Sequence, residues 1–340
     1  MRNDVKSTVV NILAIGLAYL LISFRSDIQS IFTESIIFIV SAYILVKAAD
    51  IFTELAVFVG DSFGLSKLAT GTLIIAIGTS APELFASIGA AIQNQPDMVV
   101  GNVLGTVIAN CLLGIGFGAM FAKKALVVHG DVVAWKMSVF LVAILLALVG
   151  FFDGSLDYYE GILMLPLLLY YLIFVYRINK NDGNNNHLDN RKSLIGPIAL
   201  LVVNLSILFI SGDSVVSSLL EVSEMLGFSS AILATSVLAV STSIPEIATA
   251  IALVRQNNVD SLFGEIMGSN IFDILGIFGF LSLFGALTME FTLLLYLSIS
   301  MIGAYVVVGA MMYDKSINRI EGFALILLFA AFTTQLASIK

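Results

Sequence analysis

The segment Gly71–Gly116, GTLIIAIGTSAPELFASIGAAIQNQPDMVVGNVLGTVIANCLLGIG, aligns without a gap on Ala234–Gly279, ATSVLAVSTSIPEIATAIALVRQNNVDSLFGEIMGSNIFDILGIFG, at an offset of 163 residues. About a third of the paired positions are identical, and the same register pairs Asp50 with Asp213 and Gly64 with Gly227. The identities concentrate in Thr-Ser-x-Pro-Glu and Gly-x-x-x-Gly, which chance does not explain in a mostly apolar chain. The sequence is an internal duplication.

Around this repeat the chain has 340 residues, 59% hydrophobic and 12% charged, with a mean hydropathy of +1.02. A soluble domain is about 25% charged and about 45–50% apolar. Runs such as Ile36–Val46, Val139–Phe152 and Phe291–Met312 need a hydrocarbon solvent, and one span takes about 20 residues. Only helices and closed barrels satisfy their backbone in lipid. A barrel would show alternating segments of about 10 residues, whereas these runs are apolar on every side. The fold class is therefore all-α, a polytopic membrane protein. Spans are expected near residues 7–24, 35–60, 67–91, 98–122, 132–152, 157–177, 194–222, 230–254, 260–285, 290–312 and 318–338, about eleven in all.

The net charge of −8 comes with no basic cluster, so nucleic acid is not an expected partner. The lipid bilayer is, and no obligate protein partner is indicated. Cys111 is the single cysteine; it can form no disulfide within the chain and reads as a small buried packing residue. His129 and His187 are isolated loop residues, which argues against a histidine-based metal site.

Sorting the loops by side puts Arg2, Lys6, Lys67, Lys123, Lys124, Lys136, Arg177, Lys180, Arg191, Lys192, Arg255, Lys315 and Arg319 together, with Arg25 and Lys340 opposite. The positive-inside rule then places the N-terminus in the cytoplasm and the C-terminus outside, in a multi-pass protein of the cell membrane. The first span resembles a signal peptide in its flanking Arg2 and Lys6. Phe24-Arg25-Ser26-Asp27 offers no small-residue cleavage site, so a retained helix is expected. The stretch Asn179–Asn190, NKNDGNNNHLDN, reads as a cytoplasmic linker. The domain reading is thus an additional N-terminal helix over 1–30, a first repeat over 31–178, a linker over 179–193 and a second repeat over 194–340. Each repeat holds five spans, an odd number, so the second enters the membrane inverted. Inverted repeats with interrupted helices are the arrangement of secondary transporters, whose sites lie near midplane between the repeats.

The repeated polar residues carry the chemistry. Thr79 and Glu83 lie one turn apart with Ser80 beside them, and Thr242, Ser243 and Glu246 repeat the pattern. Pro82 cannot donate to the carbonyl of Gly78, nor Pro245 to that of Ser241, so each helix opens beside its acid. An acid at mid-span costs about 2.5–3.5 kcal/mol on insertion scales and marks a functional site by default. In the next helix of each half, Thr106 and Asn110 lie one turn apart, as do Ser269 and Asp273. The pairs Gly101/Gly105 and Gly264/Gly268 are small-x-x-x-small patterns for close helix packing. Pooled, these groups offer carboxylates, an amide, hydroxyls and freed carbonyls. Such an all-oxygen shell suits Ca²⁺ better than Mg²⁺; Mn²⁺ is compatible, and the lack of Cys and His ligands argues against Zn²⁺ or Cu. Two or three Na⁺ could neutralise the same carboxylates, which makes exchange by competition a natural mechanism.

The motifs GTSAPELFASI with GNVLGTVIAN, and STSIPEIATAI with GEIMGSNIFDILGIFG, resemble the two α-repeats of the cation/calcium antiporters, specifically the prokaryotic-type sodium/calcium exchanger branch, over about residues 34–340. The resemblance implies ten core helices, with Glu83 and Glu246 as central carboxylates for Na⁺ and Ca²⁺. It implies further oxygens from Thr79, Ser80, Thr242 and Ser243 and from the backbones of Ala76 and Ala239. Thr106 and Ser269 fall at the next-helix serine position, and Asn110 and Asp273 at the asymmetric amide/carboxylate pair. It also implies that the first and sixth core helices, near 35–60 and 194–222, slide to alternate access. The chain departs from the pattern at Ser241, Thr106, Val107 and Glu265 and in its additional first helix. Glu265 is either added negative charge at the entrance or a solvated helix-end residue, and Lys47 either pairs with Asp50 or snorkels.

The expectation is a secondary active antiporter exchanging Na⁺ for Ca²⁺ by alternating access, with no cofactor. The alternative is H⁺/divalent cation exchange, of Ca²⁺ or Mn²⁺, through the same carboxylates. A passive cation channel fits the repeats less well. An enzyme is not expected, because neither histidine nor the cysteine sits near a nucleophile pair.

Overall fold

An apolar backbone in lipid must bond to itself, and helices do so. The computed structural model describes residues 30–62, 78, 80–122, 125–127, 131–179, 195–255, 259–313 and 316–339. Its helices are α1 (Ile31–Ser62), α2 (Ala81–Ile92), α3 (Pro96–Phe121), α4 (Asp131–Gly150), α5 (Tyr158–Asn179) and α6 (Ile195–Leu226). There follow α7 (Ser230–Thr242), α8 (Ile244–Arg255), α9 (Val259–Phe272, continued by Asp273–Phe278 and Gly279–Leu281), α10 (Phe291–Tyr313) and α11 (Arg319–Leu336). Among the described residues, 7 helices are long and apolar enough to cross a membrane, and α7 with α8, counted as one bent span, makes 8. The chain is thus a polytopic α-helical membrane protein. The apolar part of α4, Trp135–Gly150, is shorter than these spans. The expected spans from residue 98 onward coincide with helices to within a few residues. The span expected at 7–24, most of 67–91 before Ser80, and residues 180–190 of the linker lie outside the described residues.

The duplication is visible in the element boundaries. Shifted by 163 residues, the bounds of α2 fall on those of α8, and Pro96–Ala109 of α3 falls on Val259–Phe272 of α9. In both α3 and α9 the helix then widens into a π-helical turn, Asn110–Gly114 and Asp273–Phe278, beginning at the paired residues Asn110 and Asp273. A third π turn, Ala234–Leu238, lies within α7. Such turns insert a residue into the helical ladder and gather at functional sites.

The chain forms two compact units, each drawing on both repeats: Met1–Gln93 with Leu172–Gly227, and Asn94–Tyr171 with Phe228–Lys340. In the first unit α6 packs on α1 and α2. Leu45 and Ala48 of α1, Ala86 and Ala90 of α2, and Val215, Val216 and Leu219 of α6 are buried. Asn204 Nδ2 of α6 donates to the Ala48 carbonyl at 2.6 Å. The α2–α6 crossing is backbone on backbone, since a Cβ on Gly89 would lie 2.9 Å from the Gly212 carbonyl oxygen. Beside it, Gln93 Nε2 donates to Asp213 Oδ1 at 2.7 Å, to the Asp213 carbonyl at 3.1 Å and to Ser217 Oγ at 3.0 Å. The hydroxyls of Ser211, Ser214 and Ser218 return to carbonyls of their own helix, at Ile207, Ile210 and Ser214. This satisfies these three hydroxyls within an otherwise apolar helix.

In the second unit, Gly101 and Gly105 bring α3 against the π turn of α7. A Cβ on Gly101 would lie 2.8 Å from both the Ala231 carbonyl oxygen and Thr235 Oγ1, and one on Gly105 would collide with the Thr235 carbonyl. The paired glycines of α9 instead meet side chains, Gly264 facing Lys136 Nζ and Gly268 facing the Tyr171 hydroxyl. Two short antiparallel pairs, β1 (Leu126–Val127) with β4 (Ser316–Ile317) and β2 (Ser155–Leu156) with β3 (Leu287–Thr288), tie helix ends of this unit together.

A Cβ on Gly212 would meet the Phe85 carbonyl carbon at 2.8 Å, whereas one on Gly303 meets nothing within 4 Å. Gly212→Ala is therefore expected to cost about 1–3 kcal/mol by overpacking. It should lower the thermal midpoint of the purified protein in detergent, while Gly303→Ala leaves the midpoint unchanged or raised.

Candidate cation-binding site

The second unit gathers polar groups in helices otherwise built of apolar residues. The starting point is the break between α7 and α8, bent by 41° with Ser243 between them. Pro245, the second residue of α8, explains the break: its ring is tolerated in a first helical turn and excluded from the interior of a continuous helix. The bend brings Glu246 into the first turn of α8, fully buried. Its Oε1 accepts from Ser269 Oγ at 3.4 Å, while Oε2 is buried with no hydrogen-bond partner. The strongest charged neighbour of Glu246 is Asp273, and Glu265 acts on it less strongly. Asp273 is fully buried and opens the π turn of α9.

Further buried polar atoms of this unit lie on α3 and at the α7–α8 break. Ser243 Oγ and Thr106 Oγ1 are buried and have no hydrogen-bond partner among the described residues. Asn110 Nδ2 donates to Asn270 Oδ1 at 3.1 Å, and Asn270 Nδ2 donates in turn to Cys111 Sγ at 3.3 Å. The bond fixes the Asn110 amide and leaves its Oδ1 buried with no partner. Thr242 Oγ1 donates to the carbonyls of Leu238 and Ala239, both at 3.2 Å. The Ala239 carbonyl also accepts from the Ser243 amide at 3.0 Å, so a cation there would share it with two donors.

In the first unit, Ser80 and Glu83 are fully buried at the start of α2, where the Leu84 amide donates to the Ser80 carbonyl at 3.0 Å. Thr79 and Ala76, the remaining first-repeat positions, lie outside the described residues.

Among the described residues no group of three or more His, Cys, Asp or Glu forms a metal cluster. The set in the second unit is instead mixed: two carboxylates, hydroxyls and a carboxamide oxygen, donors for a hard cation. Burying two carboxylates side by side is strongly unfavourable unless positive charge compensates them. This arrangement therefore attracts cations.

Two groups of this site were not singled out from the sequence. Asn270 is paired with Val107 in the repeat, so the symmetry that revealed the other positions hid it; its signal was a carboxamide beside Ser269 inside a span. Lys136 was sorted with the loop charges, yet its amine reaches back to the Gly264 carbonyl at 2.7 Å. Cys111 is buried and free, as expected, and accepts a bond that the sequence did not show.

Comparison with known proteins agrees with this chemistry. The family model described as sodium/calcium exchanger protein matches residues 33–177 and 196–336. The inner membrane protein YrbG of Escherichia coli is 30% identical over 251 residues, covering 71% of this chain and 77% of that protein. The sodium/calcium exchanger MaX1 of Methanosarcina acetivorans is 27% identical, covering 88% of this chain and 97% of its own length. Among solved structures, the H⁺/Ca²⁺ exchanger CAX shares the fold with a TM-score of 0.70 at 15% identity, covering 98% of this chain and 92% of that one. With both repeats matched, the chain belongs to the sodium/calcium exchanger protein family.

Proposed function

We propose that the protein is a Na⁺/Ca²⁺ antiporter of the cell membrane, working by alternating access and driven by the Na⁺ gradient. The observation that carries this reading is the buried pair of Glu246 and Asp273, with Ser269 bonded to Glu246, in a unit that also buries unbonded oxygens of Ser243, Thr106 and Asn110. One Ca²⁺ or several Na⁺ neutralise such a pair, and the two loads exclude one another, which is the elementary requirement for exchange. The 27% identity to MaX1, itself named a sodium/calcium exchanger, supports Na⁺ as the coupling ion.

By the symmetry of the duplication, Glu83, Ser80, Thr79 and Ala76 complete the ligand set from the first repeat, as Glu246, Ser243, Thr242 and Ala239 do from the second. The repeats, over 31–178 and 194–340, are inverted in the membrane, with the N-terminus cytoplasmic and the C-terminus outside. Charge sorting along the sequence supports this orientation. As a transporter, the protein needs no cofactor; Ca²⁺ and Na⁺ are its substrates.

A second reading, H⁺/Ca²⁺ exchange through the same carboxylates, is favoured by the likeness to the H⁺/Ca²⁺ exchanger CAX. Uptake of ⁴⁵Ca²⁺ into proteoliposomes under separately imposed Na⁺ and pH gradients separates the two. Uptake driven by the Na⁺ gradient alone is expected, and uptake driven only by the pH gradient would select the second reading. Glu246→Gln and Glu83→Gln should each reduce uptake to the background of empty vesicles; full uptake in both would overturn the ligand assignment. Asn270→Val, which frees the Asn110 amide, should raise the Ca²⁺ concentration for half-maximal uptake by about 10-fold, as loss of an outer-shell partner does at metal sites.

A further inference from the structure

One charged pair of the second unit takes no part in the ligand set described above. Lys136, near the start of α4, donates from Nζ to the Gly264 carbonyl of α9 at 2.7 Å. The approach depends on the glycine, since a Cβ on residue 264 would stand 3.2 Å from the amine. The next residue is Glu265, whose two carboxylate oxygens are buried with no hydrogen-bond partner among the described residues. The charge that favours its ionised form is that of Lys136. Glu265 also acts directly on Glu246, and it lies one helical turn before Ser269, which bonds Glu246. The ammonium is anchored to main chain, and the carboxylate, tied to no donor, exerts its field on the cation site.

We propose that Lys136 and Glu265 form a charge pair that tunes the cation site of Glu246 and Asp273 for ion valence, without either residue touching the ion. The inference rests on the cation-transport reading given above. A fixed charge shifts the binding free energy of an ion in proportion to the ion's own charge. Its effect on Ca²⁺, in logarithms of affinity, is therefore twice its effect on each Na⁺. With both members charged, their fields oppose one another at the site. Removing the ammonium leaves Glu265 uncompensated and strengthens binding, most for the divalent ion. Removing the carboxylate leaves Lys136 uncompensated and weakens binding, again most for the divalent ion. A merely structural contact between α4 and α9 predicts something else, namely that either loss harms the site in the same direction.

The test measures half-saturating Ca²⁺ and Na⁺ concentrations for ⁴⁵Ca²⁺ exchange in proteoliposomes, with equilibrium ⁴⁵Ca²⁺ binding to the purified protein alongside. Lys136→Met is expected to lower the Ca²⁺ value roughly tenfold and the Na⁺ value roughly threefold, and Glu265→Gln to raise both by similar factors. The double variant should return to within about twofold of the unsubstituted protein. Shifts of the same sign in both single variants, equal factors for the two ions, or changes under twofold would overturn the proposal. If Lys136→Met does not fold, the near-isosteric Glu265→Gln carries the test through its unequal effect on the two ions. Absence of ⁴⁵Ca²⁺ uptake by the unsubstituted protein under every gradient would sink the transport reading and this inference with it. Normal exchange with unshifted variants would sink this inference alone.

Discussion

The structure of the second unit depends on one electrostatic constraint: Glu246 and Asp273 are buried together, and among the described residues no lysine or arginine acts on Glu246. In water two carboxylates repel weakly, but in a low-dielectric interior their repulsion and their lost hydration are both large. A fold that keeps them needs a positive partner to be supplied, and Lys136 is engaged at the Gly264 carbonyl instead. In the proposed transport reading the partner is the transported cation. Local irregularities serve the same end. The bend at Ser243, the π turns that begin at Asn110 and Asp273, and the unbonded oxygens of Ser243, Thr106 and Asn110 each withhold a polar atom from the helical ladder or from a neighbour. Each costs stability locally and, in the proposed reading, leaves a donor atom for a cation.

The duplication supplies the backbone of this arrangement, and its departures supply the chemistry. Between α3 and α9 the backbone repeats residue for residue, including the start of the π turn. Three side-chain differences break the equivalence: Asn110 against Asp273, Val107 against Asn270, and Asn102 against Glu265. All three make the second copy more polar or more acidic. One copy thus contributes a neutral amide held in place by the other copy's carboxamide, and the negative charge is concentrated in α9. A symmetric pair of aspartates would add a further buried charge. A symmetric pair of asparagines would leave α9 without the carboxylate that acts on Glu246.

Much of this was legible in the sequence, for identifiable reasons. Hydrophobic runs fix where helices lie, because the backbone has no other way to bond in lipid, and the expected spans from residue 98 onward match the helices. The offset of 163 residues located Glu246, Ser269, Asp273 and Asn110 through their partners. What stayed hidden has physical causes as well. A π turn adds one residue to a helix without a local composition signal, so the widening at Asn110 could not be read. Asn270 broke the symmetry that exposed its neighbours. Lys136 has a stem long enough to carry its amine away from the helix end where its charge is counted, so charge sorting by loop did not show its bond to α9.

The first unit adds a mechanical consequence. The hydroxyls of Ser211, Ser214 and Ser218 in α6 are satisfied by carbonyls of their own helix, so these bonds travel with the helix. Its attachment to α2 is of a different kind. Gly89 and Gly212 place the two backbones in direct contact, and Gln93 donates to Asp213 and Ser217 across the crossing. A backbone contact without side chains has no flexible atoms to absorb a slide. A shift of α6 along its axis must then either carry α2 along or break the bonds of Gln93 and part the glycines. Carrying α2 along is the less costly course, because it preserves every contact of the crossing. Glu83, on the first turn of α2, would then move as part of the same body as α6.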